Sequence, residues 1–249
     1  MISVKRWKEK IILGISLASV SFALHYLHYL IFHDAHHIFL YLLGDIAFIP
    51  VNVLAVTLII DNLLNEREKK SRLEKLNMVI GTFFSEVGAS LIRLFSQFDP
   101  EVDEIRQKLM VSNDWTGVEF HKTAQILKDY QYQIDIPRID LQSIRDFLSL
   151  ERDFMLRLLE NPNILEHESF TELLRAVFHL TEELMHRKGF TALPESDLKH
   201  IAGDLKRVYT HLIYEWLDYM KFLKNNYPYL FSLAIRMNPF DTNANPVVF

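Results

Sequence analysis

Two apolar runs dominate the first quarter of the chain. Residues 11–32 contain no Asp, Glu, Lys or Arg, and residues 38–60 contain only Asp45. Five polar or small residues separate them: His33, Asp34, Ala35, His36 and His37. At ~1.5 Å per helical residue each run reaches roughly 33–35 Å, enough to cross a hydrocarbon core of about 30 Å. The pattern predicts a transmembrane hairpin within residues 1–64, with helices over about 11–32 and 38–62. The first run is longer than a signal-peptide core, and no small-x-small site follows it, so it is read as retained.

From residue 65 the pattern becomes amphipathic. Leu73, Leu76, Ile80, Phe83, Phe84, Val87, Leu91, Leu94, Phe95 and Phe98 recur at helical spacing, which predicts that the second helix continues to about residue 97. Gly81, Ser85 and Gly88 form a strip of small residues where another helix can approach. Asp99 and Pro100 read as the N-cap and first position of a short helix to about Val111. Thr116 and Glu119 have capping-box spacing ahead of a helix to about Tyr130. Pro137 disfavours helix just before it, so 131–139 reads as extended. Asp140 caps a helix expected to run to Glu160, and Asn161-Pro162 stops it. Ser169 and Glu172 suggest another capping box, on a helix that Gly189 closes. A long helix follows over 194–225, then a short one over 229–237. Turn-rich residues 238–249 read as a loose C-terminal tail. The expected fold class is all-α: an N-terminal two-helix transmembrane hairpin continuing into a cytoplasmic α-helical bundle over 65–237.

Charge orients the hairpin. Lys5, Arg6, Lys8 and Lys10 precede it, Arg67, Lys69, Lys70, Arg72 and Lys75 follow it, and the connecting loop has no Lys or Arg. The positive-inside rule then puts both termini in the cytoplasm and the histidine-rich loop outside, as a two-span, multi-pass membrane protein. Tyr26, Tyr29 and Tyr41 fall near the outer interface, and Trp7 near the inner one. The chain has 27 Lys plus Arg against 32 Asp plus Glu, and no strongly basic domain that would suggest nucleic-acid binding. It has no cysteine, which excludes disulfides, cysteine zinc sites and thiol catalysis.

Three groups of residues carry candidate chemistry. On the second helix Tyr41, Asp45, Phe48, Asn52, Val56 and Ile59 fall close to one line, a polar stripe that avoids lipid by facing protein or water. His25 and Asp45 are equidistant from Ala35, so a hairpin centred there predicts an intramembrane pair, within one subunit or across a subunit boundary. His33, Asp34, His36 and His37 offer imidazole and carboxylate ligands for a divalent cation at the extracytoplasmic loop. In the soluble part His179, Glu182, Glu183 and His186 lie near one helix face, and His211 and Glu215 near another. Only one Glu-x-x-His triplet occurs, however, and the metal-carboxylate pattern of helical bundles needs two. No nucleophile elbow, phosphate loop or HExxH is found, so no enzymatic activity is expected.

The leading expectation is a homo-oligomeric membrane protein whose second helix lines an ion pathway, with the cytoplasmic bundle assembling or gating it. The alternative is a membrane-anchored helical interaction or sensor module without transport activity. The expected partners are the lipid bilayer, further copies of the chain and a cytoplasmic protein.

Overall fold

Helix α1 (Ile2–Phe32) and helix α2 (Ala35–Phe83) carry the two apolar runs in the computed structural model. The structure describes residues 2–162 and 164–248. The side chains of residues 2–9, 137 and 166 fall outside it, and with them the predicted anchors Lys5, Arg6, Trp7 and Lys8. The chain is all-helical, with no strand among the described residues.

The five-residue loop of the sequence reading is corrected to two residues, because Asp34 caps α2 early. Its Oδ1 accepts the His37 N–H at 3.1 Å, which draws Ala35, His36 and His37 into the helix. His33 takes a left-handed φ of 51°, and its N–H closes α1 on the Tyr29 carbonyl.

The chain divides into two units, Met1–Glu68 and Lys69–Phe249. In the first, no described residue is buried: Phe22 is 76% exposed and Leu43 69%. The second has a continuous apolar core, to which the end of α2 contributes Leu76, Ile80 and Phe83. The predicted continuation is interrupted by a π-turn (Phe84–Gly88) and resumes as α3 (Ala89–Phe95). At Gly81 a Cβ would lie 2.8 Å from the Tyr219 hydroxyl, so the small-residue strip receives a helix of its own chain.

Around this stem come α4 (Val102–Arg106), α5 (Gly117–Asp129), α6 (Leu141–Leu150), α7 (Arg152–Leu159), α8 (Glu168–Met185), α9 (Glu195–Asn226) and α10 (Pro228–Arg236). Helix α9 is the axis of this unit. It packs along α8 and also meets α3, α5 and α10, while α6 and α7 cover α8. Its buried row of Ile201, Leu205, Val208, Tyr209, Leu212, Ile213, Trp216, Met220 and Leu223 repeats at helical spacing. The Thr116–Glu119 capping box forms as expected, and Asp140 Oδ1 accepts the Ser143 N–H.

Five expectations are corrected. Asp99 is not the cap of a helix begun by Pro100. It is buried, accepts from the Glu101 N–H and the Tyr130 hydroxyl, and α4 starts only at Val102. Residues 131–139 are not extended throughout, since Ile136–Arg138 form one 3-10 turn. The predicted helix from Asp140 breaks at Glu151, and the bend keeps Met155 and Leu158 buried on the side facing α8. Helix α8 is capped by His167, whose side chain accepts the Phe170 N–H, while the Ser169 hydroxyl turns toward His167 and Glu215. The tail is docked. Asn238 and Phe240 are buried, Phe240 meets the Trp216 ring, and Arg236 Nε donates to the Pro246 carbonyl.

Candidate functional site

The polar stripe predicted on α2 lies wholly at the surface of its unit. Tyr41, Asp45, Phe48, Asn52, Val56 and Ile59 are all exposed. The expected His25–Asp45 pair does not form within the chain: no hydrogen bond or ion pair joins them among the described residues. The shorter turn explains this. With the fold-back centred between His33 and Asp34, the counterpart of His25 is near Tyr41, and Asp45 lies a helical turn deeper. His25 accordingly lines a groove with Leu24, His28, His37, Ile38 and Tyr41.

Nor do His33, Asp34, His36 and His37 bring their ligand atoms together. Asp34 is engaged as the cap of α2. His37 stacks on His28, with ring centroids 5.9 Å apart, and tilts against Tyr41 at 4.6 Å.

The convergent set lies in the second unit, where α8 and α9 run beside each other. His179 and Glu183 are four residues apart on α8, and His200 and Asp204 are four apart on α9. That spacing puts each pair on one face of its helix. His179 sits six residues before the end of α8 and His200 five after the start of α9, so the fold-back brings the pairs level. His179 Nε2 is 3.5 Å from Asp204 Oδ2 and 4.0 Å from Glu183 Oε1. His200 Nε2 is 3.4 Å from Asp204 Oδ2 and 3.7 Å from Glu183 Oε2. Asp204 is only 3% exposed, whereas His179 and His200 reach solvent.

Two arginines brace the carboxylates from outside. Arg187 Nη1 donates to Glu183 Oε2 at 2.7 Å and also to the Glu183 carbonyl. Its Nε and Nη2 form a two-pronged contact with Asp197, at 2.9 and 2.7 Å. Arg207 Nη1 lies 3.2 Å from Asp204 Oδ1. The hydrogen bond from Arg187 holds the Glu183 carboxyl below its ordinary range against some burial, and the charges of Arg187, His200 and His179 add to this. Asp197 is lowered by the same arginine.

The residues flagged by sequence divide here. His179 and Glu183 belong to the cluster. Glu182 instead pairs with Arg152 at 3.0 Å, and His186 caps the end of α8. His211 and Glu215 form no part of it. Burial lowers the His211 imidazole and raises the Glu215 carboxyl, the latter opposed by Ser169 and His167. Sequence reasoning missed His200 and Asp204. The available signal was a repeated His-x-x-x-acid, in HLTEE (179–183) and HIAGD (200–204).

Comparison with known proteins divides the chain similarly. Residues 72–236 match the family described as "Uncharacterized protein MJ1433, C-terminal helical domain", and residues 4–64 match "MJ1433, N-terminal helical domain". The chain belongs to the MJ1433 family. Uncharacterized protein MJ1433 of Methanocaldococcus jannaschii is 47% identical to it over 234 residues, 94% of each chain. No solved structure matches. The N-terminal family segment contains the apolar hairpin and its stripe, and the C-terminal family segment contains all four cluster residues.

Proposed function

We propose that the chain is a two-span integral membrane protein whose hairpin anchors a cytoplasmic helical interaction module. One observation carries this reading. Two long apolar helices, Lys10–Phe32 and the apolar part of α2, have no residue of their apolar windows buried by the protein. A water-soluble fold would bury such surface, since exposed apolar patches beyond a few hundred Å² mark interaction or membrane sites. The basic residues flanking the hairpin put its ends and the helical domain on the cytoplasmic side. The test uses membranes from cells expressing the full chain. The protein should resist alkaline carbonate extraction, and single cysteines at Ala35 and Asn245 should label from opposite sides. Release by carbonate, or labelling of both positions from one side, overturns the reading.

A second reading, an ion pathway formed by several copies of α2, is favoured by Asp45. It has no hydrogen-bond or ion-pair partner among the described residues, and an unpaired carboxylate at such depth is costly to leave facing lipid. Gly81 lends this reading no support, because Tyr219 of the same chain packs against it. Cross-linking in native membranes and flux through proteoliposomes, each compared with Asn52→Leu, separate the two readings. A monomer without flux leaves the anchored module alone.

A further inference from the structure

We propose that His179, Glu183, His200 and Asp204 bind one borderline divalent cation of the zinc class, which ties α8 to α9. The site goes beyond the membrane reading and stands or falls separately from it.

The spacing of the donor atoms is the first reason. Metal–nitrogen and metal–oxygen bonds of about 2.0–2.2 Å, arranged tetrahedrally, put neighbouring donors roughly 3.3–3.6 Å apart. Asp204 Oδ2 lies 3.4 and 3.5 Å from the two Nε2 atoms, as two such edges require, and the Glu183 carboxylate stands slightly farther out, Oε1 4.0 Å from His179 and Oε2 3.7 Å from His200. The ligand atoms of His179, Glu183 and His200 all lie within 4.8 Å of one another.

Asp204 is the second, independent reason. Its Oδ2 is buried and has no hydrogen-bond partner, yet it points between the two Nε2 atoms. A buried carboxylate oxygen without a bonded partner is costly, and a cation between the imidazoles removes that cost. Arg207 holds Asp204 Oδ1 and leaves Oδ2 aimed inward, whereas Arg187 holds Glu183 Oε2, the oxygen nearer His200, and leaves Oε1 on the side of His179. That is the outer-shell bracing that fixes carboxylate ligands at metal sites.

Donor chemistry selects the ion. Two imidazoles disfavour Mg2+ and Ca2+, which take oxygen ligands, and suit Zn2+ and its neighbours in the transition series. The alternative is a site without metal, in which the imidazoles simply face the carboxylates.

The experiment uses the full-length chain purified in detergent, stripped with a chelator and dialysed against Zn2+ in excess Mg2+. One Zn2+ per chain should be retained, and Co2+ in its place should give the visible absorption of a four-coordinate site. H179Q/H200Q and D204N should each weaken binding by about 100-fold or more. H33Q/H36Q/H37Q, which alters the hairpin histidines, should bind as the parent does. Variants are compared by helix content and by unfolding without metal. Should D204N fail to fold, H200Q carries the test, because His200 is 52% exposed and its replacement leaves the core intact. Unchanged binding in H179Q/H200Q, or loss of binding in the hairpin variant instead, overturns the proposal. So does absence of retained Zn2+ in the parent, which leaves imidazole–carboxylate contacts only.

Discussion

Asn238 donates from Nδ2 to the Leu109 carbonyl across 2.8 Å, joining residues 129 positions apart in a buried hydrogen bond. Its Oδ1 accepts the Phe240 N–H at 3.0 Å, so one side chain satisfies a carbonyl and an amide that water cannot reach. Asn238→Ala leaves the Phe240 N–H unpaired and takes from the Leu109 carbonyl one of its two donors, the other being the Val111 N–H, and should lower stability by about 1–3 kcal/mol. Phe240→Ala, which empties the space against Trp216, should cost about 3–5 kcal/mol. Denaturant unfolding followed by helix content measures both. Losses below a few tenths would mean that the tail is not part of the cooperative unit.

Gly81 and Tyr219 make a second close contact. A Cβ at residue 81 would meet the Tyr219 hydroxyl at 2.8 Å and two ring carbons at 3.3 Å, while that ring stacks on Phe84. Gly81→Ala should therefore destabilise by about 1–2 kcal/mol. Tyr219→Phe removes the nearest atom, so the double variant should recover part of the loss. Additive effects in a double-mutant cycle would contradict the contact.

Asp99 gives a pH prediction. Burial raises its carboxyl above the ordinary value of 3.8, opposed by hydrogen bonds from Tyr130 and the Glu101 N–H. The folded state then holds this proton more tightly than the unfolded chain. The group favours folding at low pH and opposes it as pH rises from 3.8 through the raised value. Asp99→Asn keeps an acceptor for the Glu101 N–H and offers a donor to the Tyr130 oxygen. It should be more stable than the parent at pH 7, and the difference should shrink as pH falls toward 4. A gain that grows on acidification would reverse the assignment.

The capping box of α5 supplies a simpler test. Thr116 accepts the Val118 N–H, and Glu119 accepts the Thr116 N–H at 2.7 Å. Thr116→Ala should cost about 1 kcal/mol, and Thr116→Asn should recover most of it. Equal losses in both variants would show that the hydroxyl matters for something other than the cap.

The helices were legible wherever apolar periodicity and a short polar cap agreed, as at Thr116 and Asp140. The Asp140 helix was legible at its start but not at Glu151, where no proline or glycine marks the break. The tail was misread because Asn238 is a turn former by composition, and its burial depends on the distant Leu109 carbonyl. Within the chain the His25–Asp45 pair is absent for a small local reason: Asp34 caps α2 early, moves the fold-back, and shifts every depth-matched partner. The same depth argument applied to α8 and α9 would have brought His179 level with His200. What hid that cluster was a search for Glu-x-x-His, when each helix carries His-x-x-x-acid.

The π-turn at Phe84–Gly88 acts as a phase correction. Phe95 follows Leu76 by 19 positions, both are buried, and five regular turns need about 18 residues. The surplus residue is absorbed in the wider turn, so that side chains above and below it share one bearing. This stretch therefore stores its angular setting in residue count rather than residue type. Substitutions inside it keep the bearing, except at Gly88, where a Cβ would lie 2.5 Å from the Phe84 ring. Removing a single residue there would restore an unbroken α-ladder but swing Leu91, Ile92 and Phe95 by about 100° relative to Leu76 and Ile80.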